Sequence, residues 1–307
     1  MPFASPGLLV PLQVFLARVE NPLPVTSGLV VEVAWLLVRL VFWFFFNGFL
    51  LHFLYFASLK SADADVLHRL DKWTLAGVLY LLGQFMTCKY AVIYGLPYLQ
   101  ARLDGMWAPT PPACIAYVYH YSDMWRYFDS GMHACLKRYL YRPLKGSKTG
   151  LVRHLGAMFM CFVFISFWHG ATHQVVMWAG VNCLVDMLHM GAVHLERTSL
   201  AKKYLVNRLS PVAMQRVRAA GALPLLLLSL MVQSFFLGDT EFASVIVFRL
   251  YLKADFLLVA PVVLYCFIHM SNHLQRLGYT KLTSSATTFT PGPRQDTKTS
   301  SRCLCEL

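Results

Sequence analysis

Charge is what this chain of 307 residues has least of. Lys, Arg, Asp and Glu make up 14% of it, against roughly 25% in an ordinary soluble domain. That shortage excludes a water-solvated globule, because the residues that would cover its surface are missing. Acids are scarcer still, 15 Asp and Glu against 27 Lys and Arg, for a formal charge of +12. In a soluble protein such an excess would suggest nucleic acid. Here the basic residues stand between long apolar runs, the pattern of cytosolic loops and contacts with anionic lipid, so membrane lipid and no nucleic acid is the expected partner. A framework of loop-borne cysteine pairs is missing too. Most of the eight cysteines lie inside apolar runs, which reads as reduced thiols rather than disulfides. The first twenty residues carry neither a basic n-region nor a small-residue cleavage site, so no signal peptide is expected. No internal repeat is visible, which argues against a solenoid. The final LCEL is not a prenylation box, leaving reversible lipidation of Cys303 and Cys305 as the weaker reading of those two thiols.

What is abundant is apolar sequence: 57% of residues, with a mean hydropathy of +0.51. Spread over several long runs, it predicts an all-α, polytopic transmembrane protein. The runs are Leu29–Leu59, Trp73–Leu99, Leu151–Trp168, Ala171–Val193, Ala219–Leu237 and Phe256–His269. Three units are expected: an interfacial segment over 1–28, a transmembrane catalytic domain over 29–270, and a disordered tail over 271–307. The loop after the second run holds Pro109, Pro111 and Pro112, which forbid a continuous helix. The segment Asp123–Tyr141 has a helical pattern but is too polar to face lipid, so a re-entrant or interior helix is expected. Basic residues cluster in Arg142–Arg153, in Glu196–Arg218 and in the tail. Two spans separate each cluster from the next, so all can share one face, the cytosolic one by the positive-inside rule.

The candidate chemistry lies in Ser122–Gly170. His169 ends an apolar run between Trp168 and Gly170. A histidine at membrane depth is a site candidate with a pKa suited to general-base work, but it could equally hydrogen-bond a neighbouring helix. His169 and His173 echo the zinc pattern H-E-x-x-H, without its glutamate. Asp129 sits among aromatics. It is either a carboxylate tuned by burial or half of a structural pair with Arg126 or Arg138. Cys114 follows Pro111, Pro112 and Ala113. It is a small hydrophobe, an axial thiolate or an acylation site.

Taken together, KYAVIYGLPYLQARLDG, PPACIA, SDMWRYFD, YRPLKGSKTGL, FISFWHG and LSPVAMQRV resemble the membrane-bound O-acyltransferase family, most closely its Hedgehog acyltransferase branch. The resemblance runs from the first apolar run to His269. It implies transfer of palmitate from palmitoyl-CoA to the N-terminal cysteine amine of a Hedgehog-family protein, in the membrane of the endoplasmic reticulum or Golgi. It implies a catalytic pair at Asp129 and His169, and a substrate tunnel near Trp125, Arg126, Phe128 and Trp168. It also implies haem b on Cys114. Lipid-directed relatives carry Asn at the first catalytic position, so Asp129 favours the protein-directed branch. The family's further N-terminal helices are not in this sequence, which keeps a non-catalytic binder of lipidated proteins and a lipid- or glycerol-directed acyltransferase as alternatives.

Overall fold

The computed structural model describes residues 9–276 apart from 11, 23, 110, 113, 115, 117, 148, 149 and 254–257. The expected tail beyond residue 276, with Cys303 and Cys305, lies outside the described residues. Within them every element is helical. A short helix α1 (Leu12–Glu20) precedes α2 (Ser27–Phe53). Two small helices, α3 (Phe56–Leu59) and α4 (Ala64–Arg69), lead into α5 (Lys72–Leu103). Then come α6 (Tyr121–Phe128), α7 (Ser130–Leu136), a π-helical turn at Lys137–Tyr141 and α8 (Arg142–Lys145). The long hairpin α9 (Leu151–Trp168) and α10 (His173–Glu196) follows. After α11 (Ser199–Ala201) come α12 (Pro211–Leu237), α13 (Thr240–Ile246) and α14 (Val259–Arg276).

Five of these, α2, α5, α9, α10 and α12, are long and apolar enough to cross a membrane. At 1.5 Å per residue even an 18-residue helix like α9 covers about 27 Å. The sixth expected span corresponds to α14. Its polar residues His269, Asn272, His273 and Arg276 leave it below that apolar standard, and it runs on through residues expected to be tail. Helix α12 starts eight residues earlier than its apolar run suggested, because Ser210 caps it, accepting from Ala213 N at 3.2 Å, and Pro211 fits the first turn.

Helix α2 packs along α5 and α10 along α12. Glu32 on α2 is a charge in a hydrophobic helix, and α5 answers it. Arg102 donates to its two carboxylate oxygens at 3.1 and 2.7 Å, and the Tyr98 hydroxyl donates at 3.0 Å. One core cluster joins Phe56, Leu67, Leu75 and Val78 to Phe242 and Ile246. The half-buried Arg249 secures that corner by donating to the carbonyls of Leu67, His68 and Leu70 at the end of α4. A second cluster, with Tyr141, Met158, Phe162, Trp178, Cys183 and Val232, lies beneath the candidate site.

Candidate active site

The expected helix over Asp123–Tyr141 is broken at Asp129. That residue has φ −127° and ψ 76°, outside the helical region, and ends α6 while capping α7. Its Oδ1 accepts from Met132 N at 2.8 Å, and its Oδ2 accepts from the Tyr94 hydroxyl of α5 at 3.0 Å. The carboxylate is thus held from two elements. Neither expected arginine pairs with it. Arg126 faces Asp123 at 3.7 Å, and Arg138 donates to Gln13. Burial pushes the Asp129 carboxyl above the ordinary carboxylate value, against the lowering pull of the Met132 N–H and the Tyr94 hydroxyl.

Asp129 opens onto a cavity of about 100 Å³ whose wall is almost wholly apolar. Trp125, Met132, Leu136, Met158, Phe162 and Ile165 supply most of that wall, with His133, Lys137 and Asp186 as polar points. Small-molecule sites run to about 300–1,000 Å³, so this is a narrow slot. Its apolar wall suits a stretch of alkyl chain, at ~0.8 kcal/mol for each buried CH₂.

Of the other expected tunnel residues, Phe128 is 4% exposed and packs on Tyr90 and Trp125, at centroid distances of 5.3 and 6.0 Å. Trp168 is 55% exposed and stacks on Phe164. His169 lies outside the slot and connects to it through Trp178. The rings of Trp125 and Trp178 meet at 5.4 Å, and those of Trp178 and His169 at 5.8 Å. Trp178 is fixed by a 3.0 Å bond from its indole N–H to Gln233 and by stacking on Phe236 at 4.4 Å. Two tryptophan rings, Trp125 and Trp178, therefore stand between the slot that Asp129 lines and His169, and Asp129 and His169 share no hydrogen bond. His169 is exposed at the end of α9, with the Trp178 and Phe236 rings on one side at 5.8 and 5.5 Å, and the part of it taken out of water lowers its pKa.

The WHG tripeptide has a structural reason of its own. Ala171 N donates to Ser166 O at 2.8 Å and Gly170 N to Phe167 O at 3.0 Å, the two bonds of a Schellman end. Gly170 carries φ +92°, which excludes an ordinary side chain there. The same turn stops α9 before His169 and restarts α10 at His173. The two histidines do not share a helical face, and the zinc pattern loses its geometry. Cys114 is exposed and lines neither the slot nor the polar crevice beside Tyr119. No group of metal-ligating side chains gathers around it among the described residues, so no chemical step is assigned to haem.

Sequence reasoning missed Tyr94, His133, Trp178 and Asp186. His133 follows Asp129 by four residues, the spacing of one helical face, and so was findable. Burial first, then Arg126 and Lys137, pushes its pKa down to about 4. Asp186, an acid inside an apolar run, was findable by the rule that intramembrane charges mark function. Tyr94 and Trp178 carried no signal, since aromatics within spans are common.

The model of the membrane-bound O-acyltransferase family matches residues 12–233. The chain belongs to that family. It is 33% identical over 234 residues to the protein-cysteine N-palmitoyltransferase HHAT of Mus musculus, covering 76% of this chain and 47% of that protein. It is 29% identical over 258 residues to the protein-cysteine N-palmitoyltransferase Rasp of Drosophila melanogaster, covering 82% and 50%. A mouse HHAT-like protein is 29% identical over 228 residues, covering 73% and 44%. The chain thus spans about half the length of the curated relatives it matches.

Proposed function

We propose that this chain transfers a palmitoyl group from palmitoyl-CoA to the N-terminal cysteine amine of a Hedgehog-type secreted protein, in the membrane of the endoplasmic reticulum or Golgi. The observation that carries the reading is the Asp129 carboxylate, gripped by Tyr94 and Met132 at the mouth of an apolar slot, in a chain whose relatives are named protein-cysteine N-palmitoyltransferases. The slot takes part of the acyl chain and brings the thioester towards Asp129. The amine must be neutral to attack. His169, whose pKa is lowered by partial desolvation, serves as general base. Asp129 orients the amine through its carboxylate. The nitrogen attacks the thioester carbonyl carbon, the N–C bond forms, the C–S bond breaks, and coenzyme A leaves as its thiol. Trp125 and Trp178 keep water from the thioester between the two polar groups.

One observation favours a second reading, a non-catalytic binder of acylated partners: His169 stands outside the slot. An alkyne-tagged palmitoyl-CoA offered to the purified chain with a Hedgehog N-terminal peptide separates the two. Hydroxylamine-resistant, amide-linked label on the peptide supports acyl transfer. Bound but unlabelled peptide supports the binder. Label on lipid alone points to a lipid-directed transferase.

A further inference from the structure

We propose that Asp186 receives the proton released at each acyl transfer and passes it to water held in a polar crevice between α10 and α12. The proposal rests on the reading of the Asp129 slot as the transfer site. Asp186 is 8% exposed and lines two cavities at once, the apolar slot and a smaller crevice walled by Tyr119, His120, His189 and Ser229. It is the polar element common to both. The backbone N–H of Ser122 donates to its carboxylate.

The crevice is built for water. Its volume of about 20 Å³ exceeds the ~10–15 Å³ that one water requires. Ser229 is 7% exposed, and its hydroxyl has no hydrogen-bond partner in the protein. A buried hydroxyl left so is costly, and a water in the crevice satisfies it. The exit groups follow in order. His189 lies three residues beyond Asp186 on α10 and packs on the His120 ring at 4.4 Å. Asp123 of α6, which pairs with Arg126 at 3.7 Å, faces His189, and Glu196 lies further along α10. Tyr119 donates its hydroxyl to Asn272 of α14 at 3.2 Å and closes the far wall. Burial, and then His189, pushes the His120 pKa down to about 3. It stays neutral, able to donate at one ring nitrogen and accept at the other.

The chemistry needs such an exit. An N-terminal ammonium and a thioester give an amide, a free thiol and one proton. The nitrogen loses one proton before attack, since only the neutral amine attacks, and a second, to His169, as the N–C bond forms. The sulfur keeps the electron pair of the broken C–S bond and takes that second proton from His169. The first moves to the Asp186 carboxylate, then through crevice water to His189.

The test uses the full chain in detergent micelles and two readouts. In infrared difference spectra between wild type and Asp186→Asn, at a pH where the carboxyl is protonated, the Asp186 signal shifts within the mixing time when the solvent becomes D₂O. Ser229→Val, which fills the crevice, slows that shift. In steady-state transfer, Asp186→Asn lowers kcat by roughly tenfold or more and leaves both KM values unchanged, while Asp186→Glu restores turnover and its pH profile. A merely structural role would move the KM values and would not be rescued by Glu. An Asp186 signal that exchanges only with the slowest amides, or wild-type turnover in Asp186→Asn, overturns the relay alone. A wild type that transfers no acyl group overturns the acyl-transfer reading and the relay with it.

Discussion

Asp129 caps α7 and, in the proposed mechanism, orients the amine, and a pair of substitutions separates the two. As the cap of α7 it holds Met132 N at 2.8 Å. An Asn caps a helix about as well as an Asp, whereas Ala loses about 0.5–2 kcal/mol. Asp129→Asn therefore folds with wild-type thermal stability, and Asp129→Ala melts lower. Both lose at least ~10²-fold in acyl transfer, as does His169→Ala, the scale of removing a group that handles the proton in the transition state. Turnover retained in all three would remove the pair from the mechanism. A second prediction concerns pH. His120 and His133 are held at about 3 and about 4 against an ordinary 6.5, burial being the first cause in each. Unfolding returns them to the ordinary value, so below it the unfolded chain binds protons that the folded chain does not. Their contribution to stability is complete above pH 6.5 and is lost as pH falls towards 4. Asp123 and Asp129, shifted upward by burial, act in the opposite sense, so the histidine effect is read as a difference. Melting curves of the double variant His120→Gln/His133→Gln are expected to fall less than wild type between pH 6.5 and 4. An unchanged slope would show the imidazoles to be solvated.

At the scale of elements, the α2–α5 pair depends on a charge answered across the helices. Arg102→Leu leaves Glu32 with the Tyr98 hydroxyl alone. An unpaired charge in a membrane helix costs about 2.5–3.5 kcal/mol on insertion scales. The pair is partly exposed, with side-chain exposures of 18% and 40%, so the loss lies toward or below the lower figure. The double variant Arg102→Leu/Glu32→Gln is expected to recover most of it, which a double-mutant cycle in detergent measures. Additive losses would show that the two side chains act separately. This pairing was half legible in the sequence, since Glu32 in a span had to face protein, but no spacing named Arg102, seventy residues on. The break at Asp129 was not legible. Periodicity continues through it, and the helix yields only because the carboxylate caps α7 while Tyr94 holds it from α5. The Schellman turn at Gly170 was legible in part, as a glycine after an apolar run, without the bonds that fix His169 at the helix end.

At the scale of the whole molecule, composition already determined an all-helical membrane protein, and long apolar runs located five of the spans. What stayed illegible is the bridge between the two candidate catalytic residues, because Trp178 meets Trp125 and His169 only through packing between α6, α9 and α10. The hairpin α9–α10 also fixes relative sidedness. The basic segments before α9 and after α10 share one face, and Glu196 of α10 receives three hydrogen bonds from Arg218 of α12 there. The positive-inside rule assigns that face to the cytosol. An N-glycosylation acceptor inserted after Gly170 is expected to be modified, and one after Arg208, between α10 and α12, is not; the reverse pattern would invert the topology. The central claim is that the slot beside Asp129 receives the acyl chain. Its most direct measurement is photocrosslinking of the purified chain with a diazirine-bearing palmitoyl-CoA, followed by peptide mapping. The account predicts adducts on Met132, Leu136, Met158 and Phe162 that unlabelled palmitoyl-CoA competes away. Adducts confined to the exposed Phe42, Phe45 and Phe49 of α2, unaffected by competitor, would contradict it.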